Sequence, residues 1–220
     1  MIKSKHLKKG LNIIATILLI TGFTIKAESQ DIVSNTKGFS ISLFGVLSNY
    51  KSNSKFFTKV SSDEPSGLGF GGEIGYGLTE TVKLFAAYQF QNFTKNGKFA
   101  QNTLTTFEGG VKYNFLGTLN RTRPFLSATI SQNNLFVSPL QYELNGANSI
   151  ADQYTAKGIG FSPSVGIQYF FTPEINVDLV SGIKFGNFTK NDADGTKLTF
   201  DSPNDFRYLF LKLGLTYNFF

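Results

Sequence analysis

The residues best placed to do chemistry in this chain are eight charges: Glu73, Lys83, Glu108, Lys112, Arg123, Asp178, Lys184 and Lys212. Each falls inside an alternating segment, on the face opposite its large apolar residues, and shares that face with glycines such as Gly69, Gly71, Gly75, Gly110, Gly166 and Gly214. Acids and bases turned together into a narrow interior would pair, because a buried charge without a partner is costly. The other chemistry open to them is ion passage, along a path lined by Lys83, Lys112, Lys184 and Lys212. Acid–base catalysis would need two adjacent carboxylates, and the sequence does not place Glu73, Glu108 and Asp178 closely enough to argue a pair.

Other chemistries lose an indispensable member. There is no Cys, and the one His is His6. Met1 to Ala27 reads as a secretory signal: Lys3, Lys5, Lys8 and Lys9 precede an apolar run from Leu11 to Phe23, and cleavage is expected after Ala27. That run is too short for a spanning helix, which needs about 20 apolar residues. With Lys26 also removed, the mature domain, residues 28–220, keeps 16 basic and 15 acidic residues, a net charge of +1. The pI near 9.4 is therefore no argument for nucleic acid. Without His or Cys, Ser-His-Asp and Cys-His catalysis, the usual zinc sites, disulfides and an N-terminal lipid-modified Cys are all excluded. No cofactor, no metal and no enzymatic activity are expected. Asp192-Ala-Asp-Gly195 has some calcium-loop character, but Lys190 takes the first ligand position and no helices flank it, so a turn is the reading.

The elements that must position the charges are strands. Alternation places them at about 38–49, 67–78, 81–92, 103–116, 123–133, 158–171, 175–187 and 206–219. Connections of a few residues, at 79–80, 117–122 and 172–174, alternate with long polar ones at 50–66, 93–102, 134–157 and 188–205. One face of every strand is apolar and uncharged, as in Leu209, Leu211, Leu213, Leu215, Tyr217 and Phe219 of the last. A Lys or Arg at the bilayer middle costs about 2 to 4 kcal/mol, so a clean face suits lipid. A soluble sandwich accounts for the alternation equally well, but not for the loop asymmetry, the export signal and the aromatic terminus together.

The expectation is a closed antiparallel up-and-down transmembrane β-barrel of eight strands, with ten as the alternative. At eight strands side chains fill the lumen, and inward Phe44, Phe85, Phe125, Phe170 and Phe210 would plug it. Pro163 lacks an amide donor within a proposed strand, so a bulge or frayed end is expected there. Leu140, Tyr142 and Leu144 alternate within the 134–157 connection and should prolong the flanking strands as a hairpin.

Gly110-Val-Lys-Tyr-Asn-Phe115, Gly166-Ile-Gln-Tyr-Phe-Phe171 and Gly214-Leu-Thr-Tyr-Asn-Phe219 are three versions of one strand ending, with Gly72 to Leu78 a looser fourth. With the Arg123-Pro124-Phe125 strand start, these resemble the small outer-membrane barrels of the OmpA, OmpX and opacity-protein type, especially those of Bacteroidetes-like bacteria. The resemblance implies residence in the outer membrane of a Gram-negative cell, contact with its lipid, and no shared catalytic residues. It also implies that Leu213, Leu215, Tyr217, Phe219 and Phe220 form the signal read by the barrel-assembly machinery, with Phe219 in the phase of the family's terminal Phe. A structural or surface-interaction role follows, with a narrow porin as the alternative. A surface ligand would meet loops 50–66, 134–157 or 188–205; Phe56 and Phe57, between Lys55 and Lys59, are the candidate contact. A monomer is expected.

Overall fold

Alternation of apolar and small or polar residues at period two turns one face of each strand outward and the other inward. The computed structural model describes residues 33–51, 66–93, 101–144, 147–199 and 204–219. The expected signal segment, Phe56, Phe57 and Phe220 lie outside these residues. Eleven strands are formed among them: β1 (Gly38–Lys51), β2 (Ser66–Gly77), β3 (Val82–Phe93), β4 (Gln101–Asn114), β5 (Thr122–Ser138), β6 (Leu140–Leu144), β7 (Ala147–Ala151), β8 (Tyr154–Phe170), β9 (Ile175–Ala193), β10 (Thr196–Leu198) and β11 (Asn204–Asn218).

Eight of them close into an antiparallel barrel in the order β1, β2, β3, β4, β5, β8, β9, β11. The last meets the first along an unbroken register from Ser40 opposite Asn218 to Lys51 opposite Arg207. Closure answers the demand that lipid places on backbone groups, since an open sheet edge has no partner there. The short turns at 78–81, 115–121 and 171–174 share one end with the start of β1 and the end of β11.

The outward face carries the apolar residues into the surroundings: Leu43 is 71% exposed, Phe70 70% and Ile130 66%. Rings gather at two levels. Near the short turns Phe39 meets Phe219 at 5.6 Å, Tyr169 meets Phe171 at 5.2 Å and Tyr217 meets Phe219 at 4.8 Å. Toward the other end Phe70 meets Phe90 at 6.2 Å and Phe161 meets Phe185 at 5.5 Å. From Phe161 on β8 to Phe171 just past its end is ten residues, about 33 Å of extended chain at about 3.3 Å each. At a tilt near 40° this projects to about 25 Å, the height of an outer-membrane apolar band. Between the two levels no charged side chain faces out among the described residues.

Inside, glycines make room for longer neighbours. A Cβ on Gly75 would overlap the Lys83 side chain one strand away, and one on Gly166 would overlap the Phe125 ring. The small residue on one strand is therefore the seat of the large one on the next.

Three expectations are corrected. Pro163 lies in continuous β8, opposite Ala128, and the ladder to β9 skips Ser162 and Pro163 without changing register. The bulge sits in β9, opposite the Lys157–Gly158 step of β8: Gly158 pairs with Phe188 and Lys157 with Lys190, which leaves Thr189 extra. Strands β5, β8 and β9 run past the expected limits of 133, 158 and 187, reaching Ser138, Tyr154 and Ala193, because polar residues pair as readily as apolar ones above the band. The expected hairpin near Leu140 forms, but β6 and β7 make a separate two-stranded sheet rather than prolonging the wall.

Asp192 to Gly195 forms the tight turn into β10. Asp194 (φ +50°) and Gly195 (φ +81°) supply the two left-handed residues of a primed hairpin turn.

Replacing Leu43, at mid-height of β1, with Arg should destabilise the barrel by about 2 to 4 kcal/mol in lipid vesicles. A urea titration followed by the boiling-dependent gel shift measures this; an unchanged midpoint would place Leu43 away from lipid.

Candidate functional site

Inward positions of five barrel strands bring seven of the eight sequence-nominated charges into the interior as two clusters. In the first, Glu73 on β2 faces Lys83 of β3 at 3.3 Å and Lys112 of β4 at 3.7 Å. Lys112 reaches across to Asp178 on β9, also at 3.7 Å. Both carboxylate oxygens of Asp178 are occupied: Asn176 donates to Oδ1 at 2.6 Å and Thr216 donates to Oδ2 at 3.0 Å. Ser42 extends the chain by a 2.7 Å hydroxyl contact with Thr216, and Asn218 donates to Asn176 at 2.8 Å.

In the second cluster, Glu108 on β4 holds two ammonium groups, one per carboxylate oxygen. Lys184 Nζ donates to Oε2 at 2.7 Å, and Lys212 Nζ donates to Oε1. Aromatic faces cover the same cations. Lys212 lies 4.8 Å from the Phe44 ring centre and 5.3 Å from Phe210, Lys112 lies 4.6 Å from Phe125, and Lys184 lies 5.6 Å from Tyr208. The negative face of a ring favours a cation, so Lys112, Lys184 and Lys212 each have both a carboxylate and a ring as partners, while Lys83 has the Glu73 carboxylate. Four lysines stand against three carboxylates in these two clusters. Their fixed charge sums to +1.

Arg123 does not join them, which corrects its grouping with the other charges. It sits at the short-turn end, fully buried, where its guanidinium donates to Thr36 Oγ1 at 3.0 Å, to Leu116 O at 3.3 Å and to Glu80 O, with the Glu80 carboxylate 3.9 Å away. Alternation assigns a residue to a face but not to a height, so it does not show that Arg123, near the start of β5, meets the turns below it. Glu80 and Thr36 were missed by sequence reasoning because both lie outside the strands.

The same end is crossed by the segment before β1. Val33 and Ser34 donate their amides to Thr118 O at 3.0 and 3.1 Å, Asn35 donates to Pro173 O at 3.1 Å, and Thr36 donates to Glu80 Oε2 at 3.1 Å. This four-residue stretch is thereby bound to all three short turns.

Above the charged clusters lies an uncharged polar layer. Thr106 and Tyr208 both donate to Asn133 Oδ1, at 3.0 and 3.3 Å, and Tyr154 donates to Asn191 Oδ1 at 2.7 Å. At the far end the Asp194 carboxylate accepts the backbone amides of Asp152 and Gln153 at 3.1 and 2.8 Å, clamping the β9–β10 turn to the β7–β8 connection. Of the nominated terminal residues, Leu213, Leu215, Tyr217 and Phe219 all face outward on β11 or just beyond it. No group of three or more potential metal ligands occurs among the described residues.

Residues 15–219 match the family described as outer membrane protein beta-barrel domain. No protein of curated function matches the sequence. Among solved structures, Neisserial surface protein A (NspA) is similar at 18% identity, with 83% of this chain and 98% of that one covered and a TM-score of 0.57. OprG from Pseudomonas aeruginosa is 12% identical over 86% of this chain and 99% of its own, with a TM-score of 0.49. The attachment invasion locus protein Ail of Yersinia pestis is 13% identical over 84% and 100%, with a TM-score of 0.48. The likeness is one of fold.

Glu108→Gln should cost about 3 to 5 kcal/mol of stability, because it leaves Lys184 and Lys212 buried with no carboxylate between them. The triple change Glu108→Gln, Lys184→Met, Lys212→Met should recover most of that loss. The check is the urea midpoint of each refolded barrel; equal midpoints for wild type and Glu108→Gln would show that the cluster is solvated.

Proposed function

The chain belongs to the outer membrane protein β-barrel domain family and resides in the outer membrane; from that premise we propose that it is a non-enzymatic envelope protein whose barrel is a closed scaffold and whose loops meet partners outside the cell. The observation that carries this reading is the pair of ion clusters spanning the interior from β2 to β9 and from β4 to β11. An interior whose cations are each matched to a carboxylate, three of them also to ring faces, has little to offer a passing solute. The segment from Val33 to Thr36 supports the same conclusion, since it is bound to three turns at the inner mouth.

The absence of Cys, with His6 as the only His, removes the usual nucleophile and base combinations from the mature domain. Export ends in cleavage after Ala27, the residues Leu213, Leu215, Tyr217, Phe219 and Phe220 are the mark for the barrel-assembly machinery, and the barrel is a monomer. A surface ligand is met by the connections within 50–66, 134–157 and 188–205. The Asp194 clamp supports this: it makes two of those connections one pre-ordered surface, which lowers the ordering cost of binding.

Single-channel recording of the refolded mature protein in a planar bilayer tests the proposal. Silence at ordinary voltages is expected. Stable openings that prefer anions, as a fixed charge of +1 would impose, and that change with Lys112→Gln or Lys184→Gln would make the protein a narrow porin instead.

A further inference from the structure

The two interior clusters differ in charge. Lys83 and Lys112 face Glu73 and Asp178, two cations against two anions, whereas Lys184 and Lys212 share Glu108. The excess of +1 therefore sits in the second cluster, between β4, β9 and β11. Among the described residues no other carboxylate lies within ion-pair distance of either lysine. Glu108 is 2% exposed and Lys184 1%, and a buried cation without compensation is costly. An ammonium has three N–H donors, and each of these gives one to Glu108, so both have donors left for a second acceptor. The Lys212 side chain points into the lumen yet keeps 13% of its surface accessible, which leaves room beside it for a small guest.

The wall behind this cluster holds two hydroxyls with nothing to bond. Thr129 of β5 and Ser162 of β8 are register partners, both buried on the inward face, and neither Thr129 Oγ1 nor Ser162 Oγ has a hydrogen-bond partner. The β8–β9 ladder pairs Phe161 with Phe185 and Ser164 with Gly182, which sets Ser162 level with Lys184. On the other side Thr129 is opposite Gly110, one inward step below Glu108. The 2.7 Å bond from Lys184 on β9 to Glu108 on β4 thus joins the strands that flank the two hydroxyls. Buried polar atoms in native proteins nearly always have a partner. An occupant beside the ammonium groups accounts for the surplus charge and for both orphaned hydroxyls.

We propose that this cluster is a binding site for one small monovalent anion of the halide type, held by Lys184, Lys212 and the hydroxyls of Thr129 and Ser162. One negative charge cancels the excess of +1, and a second would overshoot it. Ammonium and hydroxyl groups are single-point donors that suit a spherical anion. The planar fork that matches a carboxylate or phosphate belongs to a guanidinium, and the interior guanidinium, Arg123, is engaged at the short-turn end. The anion neutralises the interior and is enclosed as the strands close around it.

The test has a crystal arm and a solution arm. Crystals of the wild-type mature barrel, refolded and grown in sodium bromide, are measured at the bromine absorption edge, and an anomalous peak bounded by Lys184, Lys212, Thr129 and Ser162 is expected. No peak there, with water alone in its place, would overturn the site. In solution the urea midpoint, followed by the boiling-dependent gel shift, is compared in chloride and in gluconate at equal ionic strength. The wild-type midpoint should be higher in chloride and rise with its concentration, as linkage requires of a ligand bound by the folded state. Lys212→Met removes the surplus charge and should abolish the difference between the two salts. Thr129→Val with Ser162→Ala should need about tenfold more chloride for the same shift, the effect of losing two hydrogen bonds. Equal wild-type midpoints in the two salts would reduce any bromide peak to an adventitious ion only. A chloride effect shared in full by Lys212→Met would be a general salt effect, and either result overturns the proposal. The bromide crystals decide the matter even if the variants refold poorly.

Discussion

Everything in this molecule follows from one constraint: inside a bilayer, every backbone amide and carbonyl must find its partner within the chain. A barrel meets the demand by pairing β11 back onto β1. Once the ladder closes with eight strands, the interior is only a side chain or two across. The interior must then be filled, and filling it with apolar residues would leave nothing to distinguish inside from outside. Glu73, Lys83, Glu108, Lys112, Asp178, Lys184 and Lys212 resolve that conflict, because charges mark the inward face and then neutralise one another across it.

The interior pairs are also mechanically linked to the wall. Lys83 reaches into the space left by Gly75, and Phe125 into the space left by Gly166. An ion pair between β4 and β11 and another between β4 and β9 connect strands that share no ladder. Wall and filling therefore constrain each other: the glycines fix where the long side chains can go, and the long side chains fix the register of the glycine-bearing strands.

How much of this was legible in the sequence depends on what period two can carry. Leu213, Leu215, Tyr217 and Phe219 announce an outward face unambiguously, and eight such segments with alternating short and long connections announce the barrel. Height along the axis is not encoded by period two, which is why Arg123 could be assigned to the interior but not to the Glu80 and Thr36 contacts at its end. Strand ends above the apolar band were read short at Ser138, Tyr154 and Ala193 because a polar strand outside lipid loses the apolar half of its pattern. Pro163 looked like a break because a missing amide is visible in the sequence, whereas the neighbours that tolerate two absent rungs are not. The segment from Val33 to Thr36 has no periodic pattern, and its hydrogen bonds to three separate turns exist only once the fold brings those turns together.

The seam between β1 and β11 has a consequence in time. Its partners are separated by nearly the whole chain, so it has the largest loop to close and is the contact least able to form early. Until it forms, the strands already assembled present two unpaired edges and an apolar outer surface, the state most prone to pairing with the wrong chain. The arrival of β11 is thus what ends the hazard. Whatever shelters the unfinished barrel has to hold the edge of β1 open for β11 and give it up only when Leu213, Leu215 and Tyr217 come alongside.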